Sequence, residues 1–347
     1  MININKLNLI GWQPFFQQQL NMEEWSDTTA VRLIEQHRSQ LVVDNTEQLL
    51  TLPITMTTSK CVVGDWLLLD EAHQFIRLLE RKSVFSRKSV GSQGEVQNIA
   101  ANIDVVFIMC SLNADFNLNR IERYLALVNE AECEAVIILT KADLVDDWMQ
   151  KQALVQALDP LLNVEVINCC DDKVNEQLAP WLKPQTSIVL LGSSGVGKST
   201  LSNTLLSGNV QTTGTIREQD SKGRHTTTSR HLIKLESGAV IIDTPGMREL
   251  QLADVTEGIE ATFKDIETLS NNCKFTDCSH TAEPSCAVMT AIVLGELSER
   301  RFLNYQKLRK ENQFNTASLQ ERRAHVKSQS KYYKRTQSQA VKLKRLD

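Results

Sequence analysis

The chain has 347 residues, more than one hydrophobic core usually holds, so we expect two or three domains. Hydrophobic residues make up 41% and charged residues 23%, which excludes an intrinsically disordered chain, and no apolar run reaches the roughly 18 to 20 residues that a membrane-spanning helix needs. The net charge of −4 conceals an asymmetry: residues 1–298 carry 24 basic against 38 acidic side chains, whereas residues 299–347 carry 14 against 4.

The N-terminus and the cysteines indicate the compartment. The first residues lack a basic region followed by an uninterrupted apolar stretch, so we expect no export signal. Eight cysteines in a chain of this length, two of them adjacent, are typical of reduced thiols rather than of a disulfide framework. We therefore expect a cytoplasmic protein. The first thirty or so residues carry no motif that we can assign.

Short β-type stretches dominate residues 31 to about 97. They are Gln40–Val43, Leu49–Ile54, Val62–Leu69 and Phe75–Leu79, with polar turns between them. Several short strands at this spacing predict a small β-barrel. The basic segment Arg81–Lys88, with Phe85 in its middle, fits a nucleic-acid-facing edge, and it equally fits an edge strand protected by charge.

From about residue 98, apolar strands alternate with helices. The apolar runs are Asp104–Cys110, Glu134–Thr140, Val164–Cys169, Ser187–Leu191 and Ala239–Asp243. Such runs are typical of strands buried on both faces of a mostly parallel sheet. Leu118, Ile121, Leu125 and Val128 recur at helical spacing and predict the crossover helix between the first two strands. We predict a doubly wound α/β domain.

The segment Thr140-Lys141-Ala142-Asp143 ends one of these strands and fits the [NT]-K-x-D guanine motif. A carboxylate at Asp143 would accept hydrogen bonds from the ring N1–H and the exocyclic amine of guanine, which adenine cannot offer. The aliphatic stem of Lys141 would lie over the base. Four residues alone also fit a plain strand-to-helix turn. Together with the phosphate loop that follows, they make GTP the preferred nucleotide.

A phosphate-binding loop follows the strand Ser187–Leu191. It reads Gly192-Ser193-Ser194-Gly195-Val196-Gly197-Lys198-Ser199-Thr200 and fits G-x-x-x-x-G-K-[ST], with a strand before it and a predicted helix after it. The glycines allow backbone N–H groups to turn towards phosphate oxygens. Lys198 should reach the β- and γ-phosphates, and the Ser199 hydroxyl should bind Mg²⁺.

Two further elements complete a GTPase set. Asp243-Thr244-Pro245-Gly246 fits D-x-x-G, in which Asp243 holds Mg²⁺ through water and Gly246 senses the γ-phosphate. The polar loop Gly223–Thr228 should supply a switch threonine to the Mg²⁺ shell. Spacing does not separate its three threonines, and we take Thr227 as the candidate.

The order of the motifs is permuted. The base-reading segment at 140–143 precedes the phosphate loop at 192–200, whereas the usual GTPase order places it last. A permuted chain keeps the same βα units, so the sheet can still form. The segment after Gly246 then runs directly into the C-terminal region, and we expect nucleotide-dependent movement to be passed there.

Four residues near the C-terminus have the spacing of a metal site. They are Cys273, Cys278, His280 and Cys286, in the pattern C-x4-C-x-H-x5-C. Three thiolates and one imidazole fill a tetrahedral Zn²⁺ shell with no position open for water, which predicts a structural ion. Unligated cysteines in a loop are the alternative. The other five are expected to be mostly core thiols: Cys61, Cys110, Cys133, Cys169 and Cys170.

The basic residues of 299–347 complete the chain. A basic tail on an acidic body favours a polyanionic partner such as RNA. A solvated helix face accounts for the same charges equally well. We place the domain boundaries at 1–97 for the N-terminal segment and barrel, 98–255 for the α/β domain, and 256–347 for the helical region with the Cys/His residues and the tail.

The permuted motif order, Gly223–Thr228, Asp243–Met247 and the stretch from Cys273 to Val288 closely resemble the ribosome small-subunit-dependent GTPase A family (RsgA, also called YjeQ). Arg81–Lys88, Ala100–Asp104 and Asp115–Leu125 resemble it as well. The resemblance implies an N-terminal OB-fold, a circularly permuted P-loop GTPase domain and a C-terminal zinc domain. The stretch Asn168-Cys169-Cys170 departs from the more usual serine/alanine base-contacting loop.

The resemblance also implies a function. It implies binding to the small (30S) ribosomal subunit and its rRNA late in maturation, with subunit-stimulated hydrolysis of GTP, Mg²⁺ with the nucleotide, one structural Zn²⁺ and a monomeric chain. The rival interpretation is a GTP-switched RNA- or metal-handling protein with a non-ribosomal partner. An ATPase or kinase is disfavoured by Asp143 and by the absence of a separate acceptor-site signature.

The catalytic water lacks its usual partner. Many GTPases place glutamine directly after D-x-x-G to orient this water, and here the position holds Met247, which cannot do so. We therefore expect slow hydrolysis by the chain alone. His225 is the candidate for orienting the water, because imidazole can accept or donate near neutral pH. From the residues alone, local packing of His225 is the better account, and the resemblance favours catalysis.

Overall fold

The computed structural model describes residues 2–88, 96–171, 173–206, 230–243, 254–281 and 283–316. Its N-terminal part has three short helices followed by five antiparallel strands. The helices are α1 (Ile4–Leu7), α2 (Pro14–Gln17) and α3 (Met22–Asp27), and the strands are β1 (Thr29–Gln36), β2 (Gln40–Asp44), β3 (Leu49–Pro53), β4 (Trp66–Leu69) and β5 (Phe75–Leu78). Helix α3 begins with a capping box, in which Asn21 and Glu24 each accept the other's backbone N–H.

Strand β1 is central to the predicted barrel, because it pairs with β2 on one side and with β4 on the other. The strand order is β3-β2-β1-β4-β5. A register shift between Leu33 and Glu35 bends β1, and apolar side chains of these strands form one buried cluster. The predictions for β2, β3 and β5 are confirmed to within one residue, whereas the predicted stretch Val62–Leu69 is a strand only from Trp66.

The first thirty residues cover one face of these strands. Trp12 and Phe16 pack against Trp66 with ring centroids 4.7 and 5.8 Å apart, and all three side chains are buried. The buried guanidinium of Arg32 donates to the carbonyl of Ile10 and, at 2.7 Å, to the hydroxyl of Ser187. Burial lowers the pKa of Arg32 to about 10, and the side chain remains a cation at neutral pH.

A separate hairpin, β6 (Val84–Lys88) with β7 (Val96–Ala101), follows the barrel strands. Arg81 holds the buried carboxylate of Asp65 through two 2.8 Å hydrogen bonds, and Lys82 pairs with Asp104 at 2.7 Å. Phe85 is only 2% exposed, so it cannot stack on a base from this position. These contacts favour the structural account of the basic segment over a nucleic-acid-facing edge.

The α/β part is a six-stranded arrangement with helices on both faces. Its elements are β8 (Val105–Ser111), α4 (Leu118–Glu130), β9 (Glu134–Thr140), α5 (Trp148–Gln156), β10 (Asn163–Ile167), α6 (Val174–Leu178), β11 (Ser187–Gly192), α7 (Lys198–Leu206), β12 (Arg230–Lys234) and β13 (Val240–Asp243). The order is β10-β9-β8-β11-β13-β12, in which only β12 is antiparallel to its neighbour. Successive residues of β8 enter two different buried clusters, as expected for a strand covered on both faces.

Strand β12 joins the two regions into one sheet. It pairs with β13 on one side and, through Glu35 opposite His231, with β1 on the other. The sheet therefore continues from the α/β part into the barrel strands, giving 11 strands in all. The sequence did not predict β12. The strand β7 also runs across residue 97, so the boundary proposed there falls inside an element.

The C-terminal helices pack on α4. They are α8 (Thr256–Thr262), α9 (Lys264–Ser270), α10 (Ala287–Val293) and α11 (Glu299–Thr316). A Cβ atom at Gly258 would lie 2.0 Å from the carbonyl oxygen of Ala126, so only glycine permits α8 to approach α4 this closely. Arg300 and Arg301 of α11 both bind the fully buried carboxylate of Glu122 at 2.8 Å. These two cations of the basic tail are therefore occupied within the chain, and residues 317–347 lie outside the described residues. None of the described helices combines the length and apolar character needed to cross a membrane.

Candidate nucleotide site and metal centre

Three predicted motif elements meet at one edge of the sheet. Strands β8, β9, β10, β11 and β13 are parallel, so their carboxyl ends lie at the same edge. Thr140 ends β9, Gly192 ends β11 and Asp243 ends β13. This is where doubly wound sheets bind ligands. The topology thus brings the base-reading, phosphate and D-x-x-G elements together although their order along the chain is permuted.

The phosphate loop has the backbone that its glycines allow. Gly192, Gly195 and Gly197 have φ of 152°, 75° and 110°. A Cβ atom at Gly192 would lie 2.6 Å from the carbonyl oxygen of Met109, so a larger residue would push the loop from β8. The Lys198 ammonium donates to the carbonyls of Gly192 and Ser193 at 2.6 Å each. These two hydrogen bonds hold the start of the loop against the lysine at its end.

Helix α7 begins at Lys198, and its N-terminal amides lie next to this loop. Ser199 and Thr200 are exposed in its first turn, and Ser194 and Gly195 are exposed in the loop. Val196 is buried in a hydrophobic cluster of the α/β part and so anchors the loop to the sheet. The exposed residues are those expected to face a ligand.

The base-reading segment is fastened to the phosphate loop. The buried Thr140 hydroxyl donates to the carbonyl of Val196 at 2.8 Å. Lys141, in a left-handed conformation with φ 61°, donates from Nζ to the carbonyl of Gly195 at 2.8 Å. Asp143 lies in the following turn of 3-10 helix, Ala142–Leu144, with its side chain exposed. The two motifs therefore form one surface.

Asp115 is a member of this site that motif reading did not identify. It follows β8, accepts a 2.5 Å hydrogen bond from the hydroxyl of Ser193 in the phosphate loop, and pairs with Arg120 of α4 at 2.7 Å. The hydrogen bond from the Arg120 guanidinium holds the pKa of Asp115 below its usual range. Two sequence signals include Asp115: it follows the predicted strand Asp104–Cys110, and it begins the segment Asp115–Leu125 that resembles the RsgA family.

The loop after β10 lies against the same site. The carbonyl of Cys169 accepts a 2.6 Å hydrogen bond from Thr204 of α7, and the Cys169 sulfur lies 3.3 Å from where a Cβ atom of Gly197 would be. Burial raises the pKa of the Cys169 thiol to about 11, so it is an unreactive thiol. The expectation of a core thiol holds for Cys61, Cys110 and Cys169, whereas Cys133 is half-buried and Cys170 is exposed.

Of the predicted switch elements, Asp243 belongs to the described residues. Asp243 is exposed at the end of β13, opposite His231 of β12. His225, Thr227 and Gly246, together with Met247 and the rest of Gly223–Thr228, lie outside the described residues.

Cys273, Cys278, His280 and Cys286 form what we call the metal cluster. Their ligand atoms all lie within 4.8 Å of one another, so the group could hold a metal ion. His280 turns its Nδ1 towards the thiols, 3.6 Å from Cys273 and 3.4 Å from Cys286, while its Nε2 lies 3.2 Å from the Ser270 hydroxyl. A second contact of this kind fixes the orientation of a metal-binding imidazole. Three sulfurs and one nitrogen converging on one point fit a tetrahedral ion.

Comparison with known proteins identifies the family. The sequence model of the RsgA GTPase family matches residues 78–253. Small ribosomal subunit biogenesis GTPase RsgA 2 of Vibrio parahaemolyticus is 52% identical over 320 residues, which is 92% of this chain and 89% of that protein. The chain belongs to the RsgA GTPase family. Small ribosomal subunit biogenesis GTPase RsgA of Mesorhizobium japonicum is 44% identical over 88% of this chain and 90% of that protein.

Solved structures agree with an RsgA fold. The crystal structure of YjeQ from Thermotoga maritima matches with a TM-score of 0.60 and 25% identity, over 82% of this chain and 98% of that one. YloQ, described as a circularly permuted GTPase, matches with a TM-score of 0.57 and 23% identity, over 84% of this chain and 96% of that one. The resemblance to the RsgA family and the predicted permuted GTPase fold are confirmed.

Proposed function

We propose that this protein is a GTP phosphohydrolase that binds the small (30S) ribosomal subunit and its rRNA in the cytoplasm and assists late maturation of that subunit. The strongest support is the 52% identity over 92% of the chain to a protein named for small-subunit biogenesis. This alignment also covers most of the chain on either side of residues 78–253, the part that the GTPase family model matches. We propose that the protein acts as a monomer.

In the proposed site, each described residue has one role. Asp143 reads the guanine edge, and the stem of Lys141 covers the base. Lys198, held beside the carbonyls of Gly192 and Ser193, directs its ammonium towards the β- and γ-phosphate oxygens, and the loop N–H groups and the N-terminus of α7 hold the phosphates.

Ser199 would bind Mg²⁺ directly, and Asp243 would hold it through water. Both offer oxygen donors, which this ion prefers, and they lie at the carboxyl edge of the adjacent strands β11 and β13. When bound, Mg²⁺ neutralises charge that develops on the phosphates during transfer. Thr227 is proposed as the third oxygen donor.

In the metal cluster we propose one Zn²⁺ with a structural role. The donor set of three thiolates and one imidazole leaves no position for water, so the ion would hold the chain between α9 and α10 rather than act on a substrate. The domain boundary at 255 and the OB-fold of the barrel are part of the same proposal, whereas a boundary at 97 would divide β7.

Hydrolysis tests the proposal. We expect slow turnover of GTP by the protein alone and faster turnover with purified small subunits, because docking would bring His225 to the attacking water. Large subunits and free rRNA are the controls. Stimulation by free RNA alone would favour the rival, a GTP-switched RNA-handling protein with a non-ribosomal partner.

The variant His225→Ala separates binding from catalysis. It should bind GTP and small subunits as the wild type does and lose most of the subunit-stimulated rate, about a hundredfold for a general acid–base group. The rate should be measured with saturating subunits. Full stimulation of the variant would mean that the water is oriented by another group.

A further inference from the structure

The carboxylate of Asp115 lies between the phosphate loop and helix α4. On one side it accepts the hydroxyl of Ser193, and on the other it pairs with Arg120 at 2.7 Å. Its own backbone is held as well, because its N–H donates to Asn113 Oδ1 at 3.1 Å. Asn113 Oδ1 in turn accepts the Ser111 hydroxyl at 3.0 Å. Asp115 is thus fixed in place by contacts at both its backbone and its side chain.

The hydrogen bonds continue from Asp115 to the phosphate-binding lysine. Ser193 presents its hydroxyl to Asp115 and its carbonyl to Lys198, the latter at 2.6 Å. The position of Ser193 therefore fixes one of the two carbonyls that orient the Lys198 ammonium. A shift of the Ser193 backbone would move the ammonium away from where the phosphates must bind.

A carboxylate at this place has an electrostatic drawback. It would repel a triphosphate bound in the adjacent loop, and the repulsion is larger near a protein surface than in bulk water. Arg120 pairs with this carboxylate and offsets its charge. Because Arg120 lies in the first turn of α4, the pair also ties the phosphate loop to the helix that α11 grips.

We propose that Asp115 is a positioning residue of the GTP site, which sets Ser193 and through it Lys198, and that Arg120 screens its charge from the bound phosphates. This inference rests on the proposed function, because it concerns the same nucleotide. The ion pair of Asp115 and Arg120 thus supports the phosphate loop from outside the nucleotide motifs.

Four variants separate charge from hydrogen bonding. Arg120→Gln leaves the carboxylate unpaired, Asp115→Asn keeps an acceptor for Ser193 without the charge, the double variant has neither charge, and Ser193→Ala removes the link. The matched control is Arg123→Gln, which breaks a comparable pair with Glu311 one turn along α4 and away from the loop. GTP and GDP affinities are measured by calorimetry with Mg²⁺ at low and high salt, together with kcat.

Arg120→Gln should weaken GTP binding about tenfold, the size expected for an altered charged hydrogen bond, and GDP binding less, because GDP carries less charge. High salt should restore part of the loss. The double variant should return to within about twofold of the wild type, since the unpaired charge is gone. Ser193→Ala should lower kcat with the protein folded, and Arg123→Gln should change neither affinity.

The outcomes distinguish this inference from the proposed function. A wild-type protein that binds neither GTP nor GDP overturns the proposed function itself. A wild type that binds both, with an Arg120→Gln variant of unchanged affinity, overturns only the role of Asp115 and Arg120. A double variant no better than Arg120→Gln would likewise overturn it, because the loss of GTP affinity would then not come from the unpaired charge of Asp115.

Discussion

The metal cluster takes its four ligands from fourteen neighbouring residues, whereas the nucleotide site joins Thr140 to Val196 across 56 positions of the chain. The nucleotide site stands on a sheet whose strands are buried on both faces, so its loops are held before any ligand binds. The chain around the cluster has no strand or helix between Asn271 and Cys286 among its described residues. We therefore expect the cluster to depend on a bound ion for a fixed chain conformation, whereas the nucleotide site should keep its conformation without a nucleotide.

Helices α4 and α11 connect these two regions. Phe302 of α11 packs against His280 of the cluster, with ring centroids 6.2 Å apart, and α11 binds Glu122 of α4 through Arg300 and Arg301. The same α4 carries Arg120, which reaches the phosphate loop through Asp115. A change at either region therefore has a physical route to the other.

The largest effect should follow removal of the metal. A Cys278→Ser variant, or the wild type treated with a strong chelator, should lose protection from hydrogen exchange in α10 and the adjacent chain while the sheet stays protected, because structural Zn²⁺ contributes about 10 kcal/mol or more in small sites. Elemental analysis should find one equivalent of zinc in the wild type. Cys170→Ser, at an exposed thiol outside the cluster, is the control. If protection is unchanged without the metal, the chain around the cluster is held without its ion, as the loops of the nucleotide site are held without a nucleotide.

The next effect concerns the base. Asp143→Asn should weaken GDP binding by about a hundredfold or more and favour xanthosine diphosphate, whose position 2 carries an oxygen in place of the amine. Calorimetry with both nucleotides measures the change. Asp146→Asn, at an exposed acid a few residues along the same segment, should alter neither affinity. Equal affinity of the wild type for ADP and GDP would contradict the assignment of Asp143.

The two regions also differ in what the sequence could predict. The metal ligands and the phosphate loop are local patterns, and the bounds predicted for β9 are identical to those observed. The segment Asp115–Leu125 resembles the family, but it does not show the role of Asp115, because that role depends on β8 lying beside β11. Sequence motifs therefore identify functional groups that are close in the chain, whereas groups that the sheet brings together from distant positions are identified only from the structure.

The N-terminal part shows the same limit. Strand β1 was not predicted because Arg32 interrupts its apolar run, and burial of that cation depends on Ile10 and Ser187, which are distant in the chain. Strand β12 was missed because its five residues include three basic side chains, and its pairing with β1 and β13 makes it a strand. In both strands, partners far along the chain override the local pattern.

A third effect, smaller than that of removing the metal, is expected at the connection between the regions. Glu122→Ala removes the fully buried partner of Arg300 and Arg301, so the free energy of unfolding should fall by about 3 kcal/mol, the lower end for breaking a buried ion pair. Glu311→Gln breaks the more exposed pair with Arg123 on the same two helices. It should change the free energy of unfolding by less than about 1 kcal/mol. Urea unfolding measures both. Equal effects of the two variants would mean that Glu122 does not carry the connection.

The smallest expected effect tests whether the sheet alone holds the nucleotide site together. Thr140→Val keeps the shape of this buried side chain and removes the hydroxyl that donates to Val196, whereas Thr140→Ser keeps the hydroxyl. Because Val196 would then have an unsatisfied carbonyl, we expect a penalty of about 1 to 2 kcal/mol, seen as a fall in GDP affinity of about tenfold for the valine variant only. If both variants bind GDP as the wild type does, the strands alone set the spacing between base and phosphate loops. A loss confined to valine would mean that the sheet brings the two loops near each other and that the Thr140 hydroxyl fixes their final spacing.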